Sequence, residues 1–207
     1  AQIRALRDWV KAGVAWDQTA LSEEDPLQPV ALLPLPSSFQ PVVALALSPD
    51  ARRLAVGRGG RLALYDLTQT NSPLLVEVPA HIDAIQSLAW SRDGQRLASG
   101  GFRRVRLWRG DSLQPERELT NGVSGRVTAL EFAPDDRTLA LADGGNGKAG
   151  YLRLVDLTET ASGGSTHSWK AHSDTIFDLE FSREGSRLLT AGGDQLVKVW
   201  DVATHKE

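Results

Sequence analysis

The chain has no cysteine among its 207 residues. That excludes a disulfide framework, a thiolate metal site and a cysteine nucleophile, and it leaves the redox compartment open. No apolar run approaches the roughly 20 residues a membrane-spanning helix needs. Neither charge sign dominates: 23 Lys and Arg stand against 26 Asp and Glu, a net charge of −3, so bulk electrostatics do not favour nucleic acid. Histidine is sparse. His81, His167, His172 and His205 fall at no metal-ligand spacing, and no carboxylate motif accompanies them. A phosphate loop is missing too. Gly144-Gly145-Asn146-Gly147-Lys148 fails the G-x-x-x-x-G-K-[ST] test, because Ala142 occupies the first Gly place and Ala149 follows the lysine. Gly57-Arg58-Gly59-Gly60 lies between two apolar runs with no helix to receive a phosphate. The chain begins at Ala1 rather than Met and shows no signal peptide; a processed or excised N-terminus is the expectation.

What is present is ordinary in amount, with 41% hydrophobic and 24% charged residues, and distinctive in pattern. The stretch Ala171–Asp201 reads AHSDTIFDLEFSREGSRLLTAGGDQLVKVWD. Ile176, Leu179 and Phe181 suggest a strand with one buried face. Ser182-Arg183-Glu184-Gly185 reads as a turn. Arg187–Thr190 forms a second strand, Gly192-Gly193-Asp194 a tight hairpin, and Leu196–Trp200 a third strand. The unit recurs: first turns begin at Ser48, Ser91, Ala133 and Ser182, in steps of 43, 42 and 49 residues. The longest step is assigned to two Gly-rich loops, at 143–150 and 162–168.

An Ala-His opening, a closing Trp-Asp and a period of roughly 40–45 residues resemble the WD40 repeat, the unit of a β-propeller blade. The implied fold is all-β: a WD40-like propeller of about four blades, forming a partial or fragmentary ring. In that family a His, an Asp, a Ser or Thr and the Trp make a buried hydrogen-bonded tetrad. The matching residues are His172, Asp194, Thr190 and Trp200, with the Asp six residues before the Trp. The second repeat keeps His81, Ser99 and Trp108, but Phe102 stands where the Asp belongs. The first and third repeats, with Ser38 and Val123 at the His place, are expected to rely on packing. With His81 and His172 absorbed into blade structure, no Ser/His/Asp order supports catalysis. Neither an enzyme nor a cofactor is expected in this chain.

The expected organisation is an amphipathic helix over 1–20, a linker over 21–29, an outer strand over 30–36, and repeats at about 37–79, 80–121, 122–170 and 171–207. The helix places Ile3, Leu6, Trp9, Val10 and Val14 on one face. It is similar to the last helix of cytochrome c-like domains that precede WD40 repeats in exported bacterial proteins. That resemblance implies an upstream haem domain and a periplasmic or exported setting; without it, the expectation is cytoplasmic.

Position within the family also implies an interaction face. Hairpins between second and third strands project on one side, the top, and carry Arg58, Arg103, Arg104 and Lys148. Arg126 borders them, while Asp50, Asp93, Asp135, Asp136 and Glu184 fall in turns on the opposite side. Ordinary solvated charge is the competing reading. The implied partner is a protein or a neighbouring domain, held through Gln86, Arg103, Arg104, Arg126, Thr128, Thr175 and Phe177, with Phe177 as the apolar anchor. Nucleic acid is disfavoured, since aromatics are not interleaved with the arginines. The leading reading is a protein-interaction scaffold; the other is an accessory module of an exported c-type haem redox protein.

Overall fold

The computed structural model describes residues 40–144, 148–158 and 166–207. The chain divides into two compact units, Ala1–Phe39 and Gln40–Glu207. The expected helix at 1–20, the linker at 21–29, the outer strand at 30–36 and Ser38 all lie outside the described residues.

The second unit is all-β, with no helix among its described residues. The first sheet comprises β1 (Val42–Leu47), β2 (Arg53–Arg58), β3 (Arg61–Asp66) and β4 (Leu74–Pro79). The second comprises β5 (Ser87–Trp90), β6 (Arg96–Gly100), β7 (Val105–Arg109) and β8 (Pro115–Leu119). The third comprises β9 (Arg126–Phe132), β10 (Thr138–Gly144), β11 (Gly150–Asp156) and β12 (Thr166–His172). The fourth has three strands, β13 (Ile176–Phe181), β14 (Arg187–Gly192) and β15 (Val197–Asp201). Every pairing is antiparallel between sequence neighbours. β1 packs against β5, β5 against β9 and β9 against β13, so the first strands follow one another as the inner strands of successive blades do.

The first turn of each sheet has one geometry. Ala51, Gly94, Asp136 and Gly185 close it at φ of 57°, 68°, 55° and 74°, each donating its N–H to the carbonyl three residues back. Glycine meets that left-handed requirement without a Cβ penalty in two sheets; Asp and Ala occupy it in the others. Ser48 Oγ donates to Asp50 at 2.6 Å and accepts the Arg53 N–H at 2.9 Å; Ser91 does the same with Asp93 and Arg96. The acidic turn residues therefore bond inside their own turns. Asp136 reaches further and accepts the Arg92 and Asp93 N–H groups of the second sheet at 2.6 and 2.9 Å.

Three apolar layers lie between adjacent sheets. Leu62, Leu64, Ile85 and Leu97 join the first to the second. Val105, Leu107, Leu139 and Leu141 join the second to the third. Ala140, Leu152, Leu188 and Trp200 join the third to the fourth. Burying such side chains stabilises by about 1.5–3 kcal/mol each relative to exposure. Hydroxyls stitch the same seams: Ser87 donates to the Val127 carbonyl at 2.8 Å and Thr128 to the Ile176 carbonyl at 2.6 Å. The two end sheets are different. Leu45 and Leu47 of the first are 60% and 53% exposed, and Val197 of the fourth is 72% exposed.

The third sheet corrects the loop expectations. β10 runs through Asp143 and Gly144, and β11 begins at Gly150, so the loop at 143–150 is shorter than expected. β12 begins at Thr166, which takes His167 and Ser168 out of the expected 162–168 loop and pairs them with Leu154 and Arg153.

Candidate functional site

In the fourth sheet the hairpin and the entering loop are held by one line of polar atoms. Trp200 Nε1–H donates to Thr190 Oγ1 at 2.9 Å. Thr190 Oγ1 lies 2.7 Å from His172 Nε2, and His172 Nδ1 lies 2.8 Å from Asp194 Oδ1. The Asp194 carboxylate can only accept, so His172 Nδ1 carries a proton and donates to it. Asp194 also accepts the Ser173 and Leu196 N–H groups at 2.9 and 3.3 Å. The His172 hydrogen bond, helped by those backbone donors, holds its carboxyl down at about 2.

The second sheet has the same line without its end. His81 Nε2 lies 2.8 Å from Ser99 Oγ, which accepts from Trp108 Nε1 at 2.9 Å. His81 Nδ1 is buried without a hydrogen-bond partner. Burial, with the Arg106 charge, lowers the His81 pKa to about 4 and keeps the ring neutral. The hairpin explains the orphan. Four residues, 101–104, separate paired Gly100 and Val105, whereas five, 192–196, separate Ala191 and Val197. The shorter hairpin turns towards the third sheet instead. Arg103 N–H donates to the Gly125 carbonyl at 2.8 Å, Val127 N–H donates to the Gly101 carbonyl at 3.0 Å, and Phe102 pairs with Arg126.

The third sheet does not rely on packing alone, contrary to expectation. Asp143, fully buried, accepts from the Arg153 guanidinium through both oxygens at 3.1 Å. It also accepts the Ser124 and Gly125 N–H groups at 2.6 and 3.2 Å, and Arg153 donates to Ser168. A buried charge pair needs such hydrogen bonds to offset its desolvation. The sequence signal was an arginine at the centre of an otherwise apolar strand, Leu152-Arg153-Leu154, ten residues after an aspartate in another.

The hairpin ends of the second, third and fourth sheets surround an open cleft. Gln86, Phe102, Ser124, Arg126, Thr128, Lys148, Tyr151, Thr175 and Phe177 are among its lining residues, and among the described residues no Asp or Glu is. Of the seven residues assigned to the interaction face, the cleft brings five together: Gln86, Arg126, Thr128, Thr175 and Phe177. Phe177 is 65% exposed and Phe102 51%. Arg126 and Lys148 are exposed, and no carboxylate pairs with either among the described residues.

The other two assigned residues lie outside the cleft lining. Arg103 is exposed but does not line the cleft. Arg104 shares the Glu118 carboxylate with Arg106, at 3.6 and 2.7 Å, and does not line the cleft. Thr128 spends its hydroxyl on the Ile176 carbonyl, and Thr175 is buried, leaving both as walls of the cleft with little to offer a partner. Phe102 and Tyr151 were missed; position within the family pointed to the strand residues after each blade histidine, not to the diverted hairpin. No group of three or more His, Cys, Asp or Glu among the described residues could hold a metal ion.

A model of the family described as WD domain, G-beta repeat matches residues 72–109 and 163–201, which include β4–β7 and β12–β15. "Transcription factor unc-37" of Caenorhabditis elegans is 28% identical over 170 residues, 81% of this chain and 26% of that protein. "WD repeat-containing protein 1" of Xenopus tropicalis is 34% identical over 79 residues, 38% of this chain and 12% of that one. "Cell division cycle protein cdt2" of Schizosaccharomyces pombe is 45% identical over 85 residues, 37% of this chain and 16% of that one. The chain thus spans about a quarter or less of the relatives it matches. With four antiparallel sheets, a complete His–Asp–Thr–Trp tetrad and these matches, the fold is WD40-like, with repeats of that family matched at residues 72–109 and 163–201.

Proposed function

We propose that this chain is a non-catalytic interaction scaffold whose cleft, at the hairpin ends of three sheets, takes an acidic segment of a protein partner. The observation that carries this reading is the cleft's composition: exposed Arg126 and Lys148 with exposed Phe177, and no carboxylate in the lining among the described residues. Cations left without partners attract a negatively charged segment and speed its encounter, while a central aromatic that loses its water sets how long the segment stays. WD40 repeat proteins bind protein partners in general, and "Elongator complex protein 2" of Schizosaccharomyces pombe, 32% identical over 109 residues, is by its name part of a complex. Arg104, held at Glu118 and outside the cleft lining, has no part in the steering.

Labelled peptides of graded net charge test this. Binding is expected to tighten with negative charge and to weaken with salt. Arg126→Ala with Lys148→Ala should slow association and flatten the salt response; Phe177→Ala should speed dissociation. Affinity independent of peptide charge, or wild-type rates in both variants, would move the interface to the opposite face or the blade rims.

A further inference from the structure

The cleft contains one residue whose place is costly to the fold. Phe102 stands six residues before Trp108, as Asp194 stands six before Trp200. The residues that follow them, Arg103 and Gln195, share a left-handed backbone at φ of 60° and 69°. The two hairpins therefore enter their third strands alike, but only one of them caps its histidine. In the second sheet the buried His81 Nδ1 is left without a hydrogen-bond partner, and an unsatisfied buried polar atom is destabilising.

What the second hairpin gains in exchange is a position. Two backbone hydrogen bonds to the third sheet, Arg103 N–H to the Gly125 carbonyl and Val127 N–H to the Gly101 carbonyl, hold Phe102 opposite Arg126. The ring is half in water and lines the cleft with Phe177 and Lys148. A side chain fixed through its backbone loses little freedom on binding, and an exposed aromatic gives up a large apolar surface when covered. The neighbouring cations set the charge of what covers it. Among the described residues they have no carboxylate partners, and the lining has none to offer.

We propose that Phe102 is an apolar recognition residue, diverted from capping His81 to stand beside Arg126, and that the segment it takes is an acidic stretch of a protein carrying one large apolar side chain. This rests on the scaffold reading above and narrows it: charge alone does not suffice, and an apolar side chain between the partner's acids is read by Phe102.

The test uses two labelled acidic peptides, identical except for a central Phe or a central Ser. The wild-type chain is expected to bind the Phe peptide roughly tenfold more tightly, since covering a phenylalanine side chain is worth about 1.5–3 kcal/mol at most. Phe102→Ser should abolish that preference while leaving the Ser peptide's affinity and the melting temperature unchanged, because the ring is exposed. Phe102→Leu should keep part of the preference, and it carries the test if the Ser variant folds poorly. Arg126→Ala should weaken both peptides alike. Equal binding of the two peptides to wild type, or a preference that survives Phe102→Ser, would overturn the role of Phe102 while leaving the acidic-segment reading standing. Failure of wild type to bind either peptide would overturn that reading and this one with it.

Discussion

The third and fourth sheets fasten the same corner of a blade with different chemistry. In each, a carboxylate accepts backbone N–H groups from the loop that leads into the first strand: Asp143 takes Ser124 and Gly125, Asp194 takes Ser173. What differs is the group that makes the carboxylate tolerable there. The fourth sheet uses a side-chain hydrogen-bond relay of His172, Thr190 and Trp200; the third uses the charge of Arg153. The shared element is the loop anchor, and the familiar tetrad is one of two ways to supply it. The second sheet, with no carboxylate at its hairpin, shows the corner unfastened and its histidine orphaned.

The largest expected effect comes from breaking the charged version. Arg153→Leu leaves Asp143 buried and uncompensated, a loss of roughly 3–5 kcal/mol. Adding Asp143→Leu should recover only part of it, since the Ser124 and Gly125 N–H groups then lose their acceptor. Chemical denaturation of the single and double variants measures both; full recovery in the double would mean that the anchor is dispensable. Thr190→Val breaks the relay version by stranding His172 Nε2 and Trp200 Nε1 together, at about 1–3 kcal/mol for each buried group left unpaired. A melting temperature unchanged by that variant would remove the relay from the account of stability.

The comparison can also be sharpened by repair. Replacing the 101–104 hairpin with the five-residue sequence of 192–196 restores an aspartate near His81 Nδ1 and should stabilise by about 1 kcal/mol. The same graft removes Phe102, so it should also erase the preference for an apolar-bearing acidic peptide. Titration of His81 by NMR reads the repair directly. A graft that leaves the ring's pKa near 4 has not reached it.

The smallest effect lies at the seam between the two sheets. Glu131 of β9 accepts the Phe181 N–H of β13 at 2.6 Å. Burial raises its pKa from 4.5 to about 7, against the pull of that hydrogen bond and with help from the charge of Glu180. A carboxyl with a raised folded-state pKa favours folding while protonated. Its contribution is fully present below the unfolded value and is lost as pH rises through about 7. Stability should therefore decline modestly between pH about 4.5 and about 7 in wild type, and Glu131→Gln, which keeps an acceptor for Phe181, should flatten that stretch of the profile. Parallel profiles for the two proteins would remove Glu131 from the pH response.

The sequence by itself determined the sheets and the side-chain relay. Alternation of apolar residues over β13–β15, the Ser-x-Asp turns, and a His, Thr and Trp at fixed spacing act within one repeat, where residues close in the chain meet by strand geometry alone. The charged anchor, the diverted hairpin and the cleft were decided only by tertiary structure. Asp143 finds Arg153 because β10 pairs with β11 in one register, and it finds Ser124 because that sheet folds its entering loop back onto the hairpin end. Phe102 meets Arg126 across two repeats, and Thr128 turns its hydroxyl to a neighbouring carbonyl for the same reason. The physical cause is that a buried polar group is satisfied by whatever partner the fold brings within reach: for Asp143 that is set by register inside one sheet, and for Phe102 and Thr128 by how neighbouring sheets stack.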